Sequence, residues 1–131
     1  MCWYRADMSV LLDDQRTRSA TGVRDLANVV APRLARAFLA ALAADEQVTA
    51  VVATVLPTGL IGTCPTRIVR VGIPMLSGRP KVDSWSRPVS FDQISRGGVG
   101  LTVRITAADG RTAKLRVGSA AEFALLEQPQ G

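Results

Sequence analysis

The stretch from Gly100 to Val117 limits what this chain can fold into more than any other. It reads as two alternating segments joined at Ala108-Asp109-Gly110, and Asp-Gly between alternating runs is a strong hairpin signal. Leu101, Val103 and Ile105 share one face of the first segment; Ala113, Leu115 and Val117 share one face of the second. A two-residue loop would set Ile105 against Lys114, placing an aliphatic and a charged side chain on the same face. A three-residue loop instead pairs Ile105 with Ala113, Val103 with Leu115 and Leu101 with Val117. The sequence therefore predicts a type I turn over Ala108-Asp109, with Gly110 left-handed and forming a bulge. Thr102, Arg104, Lys114 and Arg116 then occupy the opposite face. Arg104 lies across from Lys114, a like-charge pair that a sheet tolerates poorly without a nearby acid or bound anion.

Upstream, the period changes twice. Val23, Leu26, Ala27, Val30, Leu34, Ala37, Phe38 and Ala41 recur at helical spacing, with Thr21 placed as an N-cap. Pro32 removes a backbone donor and clashes with the preceding turn. Two helices, with Pro32 in the first turn of the second, are therefore expected in preference to one kinked helix. Val10-Leu11-Leu12 suits a short helix or an ordered arm. After Asp45-Glu46, the short β-branched run Val48–Leu56 reads as a strand, and Pro57-Thr58-Gly59 as a turn. Leu60–Thr63 pairs back, and Arg67–Ile73 alternates in a register that the pattern leaves ambiguous. Pro74, Gly78, Pro80 and Pro88 make residues 74–88 a loop anchored by Trp85, with room for one short edge strand around Val82. Val89–Ile94 is the next strand, and Arg96-Gly97-Gly98 turns into the hairpin. Ser119-Ala120-Ala121-Glu122 is a capping box, in which serine accepts the third amide and glutamate reaches back. It opens a helix from about Ala120 to Gln128, packed by Phe123 and Leu126 and stopped by Pro129. The expected division is an arm (1–20), a helical segment (21–44) and a β-rich unit with its C-terminal helix (45–128), all in one domain.

Composition bears mainly on partners. Of the 16 cations, all but Lys81 and Lys114 are arginine. The excess lies between residues 66 and 118, where Asp83, Asp92 and Asp109 are the only acids. Such a surface suits anionic partners, although a merely solvated face has the same charge. The absence of histidine excludes Ser–His and Cys–His nucleophiles and histidine metal sites. Asp13-Asp14 and Asp45-Glu46 are adjacent and diverge, so they read as solvated charges rather than an acid–base pair. Cys64 would be a nucleophile only if a cation such as Arg67 lowered its pKa; a buried structural thiol is the favoured reading. Cys2 and Cys64 are too few for a disulfide framework, and two free thiols in a reducing compartment are expected, with a single bridge left open. No residue is assigned to catalysis, metal or cofactor. Trp85 and Phe91 do not interleave with the cations, which disfavours nucleic acid. No leader or membrane-spanning stretch is evident, so a cytoplasmic protein is expected.

Three local patterns in order carry a family resemblance: Gly62-Thr63-Cys64-Pro65-Thr66-Arg67-Ile68-Val69, then Val89-Ser90-Phe91-Asp92-Gln93-Ile94, then Ala107-Ala108-Asp109-Gly110-Arg111 followed by a helix. Over about residues 45–128 the chain resembles the bacterial pleckstrin-homology-like domains. The resemblance implies an α+β fold: a strongly bent antiparallel sheet, or partly open barrel, of five to seven strands, plugged by the C-terminal helix. The helical segment at 21–44 is an addition. The resemblance also implies a non-catalytic interaction module that contacts a protein partner or assembles into a homo-oligomer, and that works in some cases at an anionic lipid surface. Phosphoinositide-binding members of the wider fold use cations around the first strand–turn–strand, but residues 47–66 contain neither Lys nor Arg. The candidate contact surface is therefore Arg104, Lys114, Arg116 and Arg111 on the last hairpin, built by Asp109 and Gly110 at the turn and by Ser119 and Glu122 at the cap. A small ligand-binding protein or enzyme using the interior of the curved sheet is the alternative.

Overall fold

Among the described residues, Pro32 is the first residue of a helix. The computed structural model describes residues 10–27, 32–55, 58–73, 78–96 and 100–127. Among these residues three short helices come first: α1 (Val10–Asp13), α2 (Val23–Ala27) and α3 (Pro32–Ala41). Seven strands follow: β1 (Ala50–Val55), β2 (Gly59–Thr63), β3 (Arg67–Gly72), β4 (Lys81–Ser86), β5 (Val89–Arg96), β6 (Leu101–Ala107) and β7 (Thr112–Val117). The helix α4 (Ala120–Glu127) ends the described chain. All strand pairs are antiparallel, and the sheet runs β4-β3-β2-β1-β7-β6-β5. β4 and β5 are consecutive in sequence yet lie at opposite edges, so the sheet is not closed. The fold is α+β.

Two apolar clusters lie on the two faces of this sheet. On one, Leu34, Ala35 and Phe38 of α3 pack with Val51, Leu60, Val69 and Val71. On the other, Val52, Ile61, Ile68 and Trp85 meet Val103, Ile105, Leu115 and Val117, with Leu126 of α4 among them. β1–β3 are thus covered on both faces. Every residue of β2 is buried, and β3 alternates between the two clusters, Ile68 on one side and Val69 and Val71 on the other. The register of residues 67–73 is ambiguous in the sequence for this reason: period-2 patterning fades when both faces are apolar. Gly62 permits the close approach, because a Cβ there would collide with the ring of fully buried Phe38.

Three sequence expectations need correction. Thr21 does not cap α2: it forms a parallel bridge with Ala50, its amide donating to the Thr49 carbonyl at 2.9 Å and its carbonyl accepting from Val51 N–H at 2.9 Å. A sheet contact outcompetes the local cap, and the helix starts at Val23. The edge strand expected around Val82 is present but longer, covering residues 81–86 and paired with β3 from Lys81 opposite Gly72 to Ser86 opposite Arg67. The prolines at 80 and 88 bound this strand without interrupting it. Glu46 is not a solvated charge; its side chain is 9% exposed and ion-paired to Arg67.

The last hairpin pairs Leu101 with Val117, Val103 with Leu115 and Ile105 with Ala113. Gly110 N–H donates to the Ala107 carbonyl at 3.0 Å, and Gly110 has φ of 90°, as the bulged three-residue turn requires. Asp109 Oδ1 accepts from Arg111 N–H at 2.9 Å and stiffens the tip. At α4, Glu122 N–H donates to Ser119 Oγ at 3.4 Å, and Glu122 Oε2 accepts from Gly118 N–H at 3.1 Å, one residue before the serine. Cys2, Gly97, Gly98, Gln128 and Pro129 lie outside the described residues.

Candidate anion-facing surface

The outer face of β5–β7 is built by alternation alone. In β6 the even positions turn away from the core: Leu101, Val103, Ile105 and Ala107 are buried, while Arg104 is exposed and Thr102 and Thr106 are half-buried. Across the ladder, Asp92 of β5 lies opposite Arg104, and Arg104 lies opposite Lys114. One row of the sheet therefore reads acid, cation, cation. In the adjacent row Thr102 lies opposite Arg116. Thr102, Lys114 and Arg116, with Leu115, line a shallow depression of about 220 Å³.

This arrangement answers the like-charge problem that the hairpin raises. Directly opposed cations repel, and an acid on the next strand offsets part of that repulsion. Asp92 can serve Arg104 in this way, because it shares the row. Lys114, on the next strand of that row, has Arg104 as its lateral neighbour. The hairpin pattern predicts Arg104 beside Lys114; Asp92 is not assigned from sequence, because the β5–β6 register has no turn signature to fix it. The bulge between Gln93 and Ser95 shifts the pairing by one and leaves Ile94 exposed at the edge.

Arg111 stands apart from the other three candidates. From the hairpin tip its Nη2 donates to the Ser84 carbonyl of edge strand β4 at 3.1 Å. It therefore spans the open side of the sheet and does not add to the outer face.

The second polar cluster ties the helical layer to the sheet. Arg67, opening β3, donates through Nε to Glu46 Oε2 and through Nη2 to Glu46 Oε1, both at 2.7 Å. Its Nη2 also donates to the Ala41 carbonyl at the end of α3, at 2.8 Å. The Arg67 guanidinium holds the Glu46 carboxyl down to about 2, against a desolvation that pushes the other way. Beside it, Cys64 is free and buried. Burial pushes its thiol up to about 12, the Glu46 carboxylate adds to this, and Arg67 and Arg87 only partly counter it. A thiol so protonated at neutral pH is a structural group, not an activated nucleophile. Arg87 Nε donates to the Cys64 carbonyl at 2.8 Å and holds the end of β2 to the end of β4. Sequence reasoning missed the Glu46–Arg67 pair because the partners are far apart along the chain and meet only when α3 packs on β3.

Among the described residues no group of three or more His, Cys, Asp or Glu converges to hold a metal ion. Among them, too, no helix is long and apolar enough to cross a membrane. Comparison with protein-family models, with curated proteins and with solved structures finds no match to this chain.

Proposed function

We infer that the protein is a non-catalytic interaction module of pleckstrin-homology-like architecture, which docks an acidic partner surface through the outer face of β5–β7. The observation that carries the reading is the row Asp92–Arg104–Lys114, flanked by Arg116, on a face that no helix of the described chain covers. A sheet tolerates opposed cations better when an anion completes the row, so a carboxylate-rich partner would lower the energy of this face as it binds. The strand order, with a C-terminal helix packed on the face that both halves of the sheet share, supports the architectural part of the reading. Trp85, Ile68, Val103, Leu115 and Leu126 fill that face, which supports a binding module over a ligand carrier or enzyme working from the interior. Val23, Leu34, Ala35 and Phe38 of the helical segment pack in the cluster on β1–β3 of their own chain and lend no support to a contact there.

The test compares wild type with Arg104→Glu plus Lys114→Glu. Retention of acidic proteins on immobilised protein at low salt, abolished in the double variant and falling steeply toward physiological salt, is the expected result. Sedimentation with anionic vesicles gives the competing outcome: binding to vesicles but not to acidic polypeptides would move the partner from protein to lipid. Binding undiminished in the double variant would remove the face from consideration.

A further inference from the structure

We propose that β4 is a self-pairing edge, joining two copies of this chain antiparallel about a twofold axis at Val82. This goes beyond the anion-facing surface, which lies on another part of the sheet. Arg87 N–H donates to the Thr66 carbonyl at 3.0 Å, so in the β3–β4 ladder the pairs 68/85, 70/83 and 72/81 exchange the hydrogen bonds. The backbone groups of Val82, Ser84 and Ser86 therefore aim away from β3, along the free edge. The Arg111 contact to the Ser84 carbonyl agrees with that orientation. Val82 is 48% exposed, the more exposed of the two large hydrophobic side chains that the described residues leave open. The opposite edge, β5, is broken by its bulge and is a poorer template.

Charge and side-chain exposure together select one register. Outward-facing groups must meet outward-facing groups, which leaves a few twofold alignments. Centring on Asp83 opposes two aspartates, and centring on Ser84 opposes Lys81 to Arg87 of the partner subunit. Centring on Lys81 opposes two lysines, and centring on Trp85 sets Asp83 against Arg87 of the partner subunit, a guanidinium engaged with the Cys64 carbonyl, around a buried Trp85 that offers nothing to the contact. Only the alignment on Val82 sets Lys81 against Asp83 of the partner subunit, twice, and packs the two valines together. In it each Val82 exchanges N–H and carbonyl with Val82 of the partner subunit, and each Ser84 N–H reaches Pro80 of the partner subunit. Proline has no N–H to return, but the Ser84 carbonyl already accepts from Arg111 of its own chain. Asp83 also lies opposite Arg70 within its own sheet, so the joined row alternates in sign.

One strand pair is a small interface, so association is weak and concentration-dependent. The experiment is sedimentation velocity on the full chain from about 10 μM to about 1 mM, a range suited to such a contact. Wild type should shift from monomer toward dimer. Val82→Pro removes an N–H that β3 does not use, and Lys81→Asp places acid against acid; each should weaken association by about tenfold or more. Lys81 is exposed, so its replacement tests the contact even if the proline variant misfolds. Register is read by oxidative cross-linking: Val82→Cys should give a dimer, since hydrogen-bonded opposite residues have Cα atoms about 5.5 Å apart, and Ser84→Cys should not. A wild type that stays monomeric throughout, a dimer indifferent to Lys81→Asp, or equal cross-linking at both positions would each overturn the proposal. None of these outcomes bears on Arg104 and Lys114, so the two readings fail separately.

Discussion

The two halves of the sheet solve the same problem differently. β1–β3 bury both faces, one under α3 and one against the other half, whereas β5–β7 bury one face and present the other to water. Where both faces are covered, a side chain is chosen for its volume. Gly62 beneath Phe38 is the extreme case. Where one face is open, β6 and β7 alternate, and their outward positions are released from packing to carry charge. The buried half therefore holds stability, and the open half is the one the proposed contact would use. Variants in the first should cost folding, and variants in the second should cost binding with little effect on folding.

The largest expected effect tests the buried half. Phe38→Ala leaves a cavity between α3 and β2 and should cost about 3–5 kcal/mol of unfolding free energy, read from denaturant midpoints. Gly62→Ala should also be strongly destabilising, because the new methyl meets the Phe38 ring. Combining the two should cost much less than their sum, since Phe38→Ala removes the group that Gly62→Ala strikes. Additive losses would mean that ring and strand do not share the space.

The Glu46–Arg67 pair should give the next effect, because it binds the helical layer to the sheet. The folded carboxyl lies at about 2 against an ordinary 4.5. A depressed folded pKa stabilises above the unfolded value, so the contribution is complete above pH 4.5 and is lost as pH falls toward 2. Glu46→Gln should cost about 2 kcal/mol at neutral pH, after discounting for the exposed part of Arg67. Thermal midpoints of the variant should lose much of the wild type's decline across that acid window. An identical decline in both proteins would assign the acid sensitivity to other carboxylates, Asp14 beside Arg16 among them.

Gly110→Ala should act more weakly still. Its φ of 90° costs an L-residue about 1 kcal/mol, while the position itself is open to solvent. A larger loss would mean that the turn holds more of the open half than its local geometry suggests.

The same contrast explains what could be read in advance. The hairpin register, the position of Pro32 and the terminal helix follow from local rules: alternation, a missing amide, a serine three residues before a glutamate. The opposition of Arg104 and Lys114 came with the register. Three features did not follow from local rules, because each is a tertiary choice between satisfactory alternatives. Thr21 gives up a cap for a bridge to Ala50. Lys81–Ser86 leaves room between prolines for only a short edge strand around Val82, until β3 pairs along its whole length. Arg111 belongs by charge to the candidate surface but by geometry to the β4 side. The two apolar faces of β3 likewise make sense only once α3 is known to cover one of them.

The smallest effect is the sharpest test, because it has a sign. If Arg104 and Lys114 oppose each other at a standing cost, Lys114→Glu should stabilise the fold by about 0.2–1 kcal/mol, since glutamate across from arginine replaces repulsion with attraction. The gain should shrink at high salt, as these groups are exposed. Acidic-partner binding should fall in the same variant, which separates stability from recognition at one position. A thermal midpoint that does not move, or that drops, would mean that the two cations splay apart in the free protein and pay nothing for their proximity. A gain in stability with no loss of binding would leave the row as an electrostatic flaw that the fold simply tolerates.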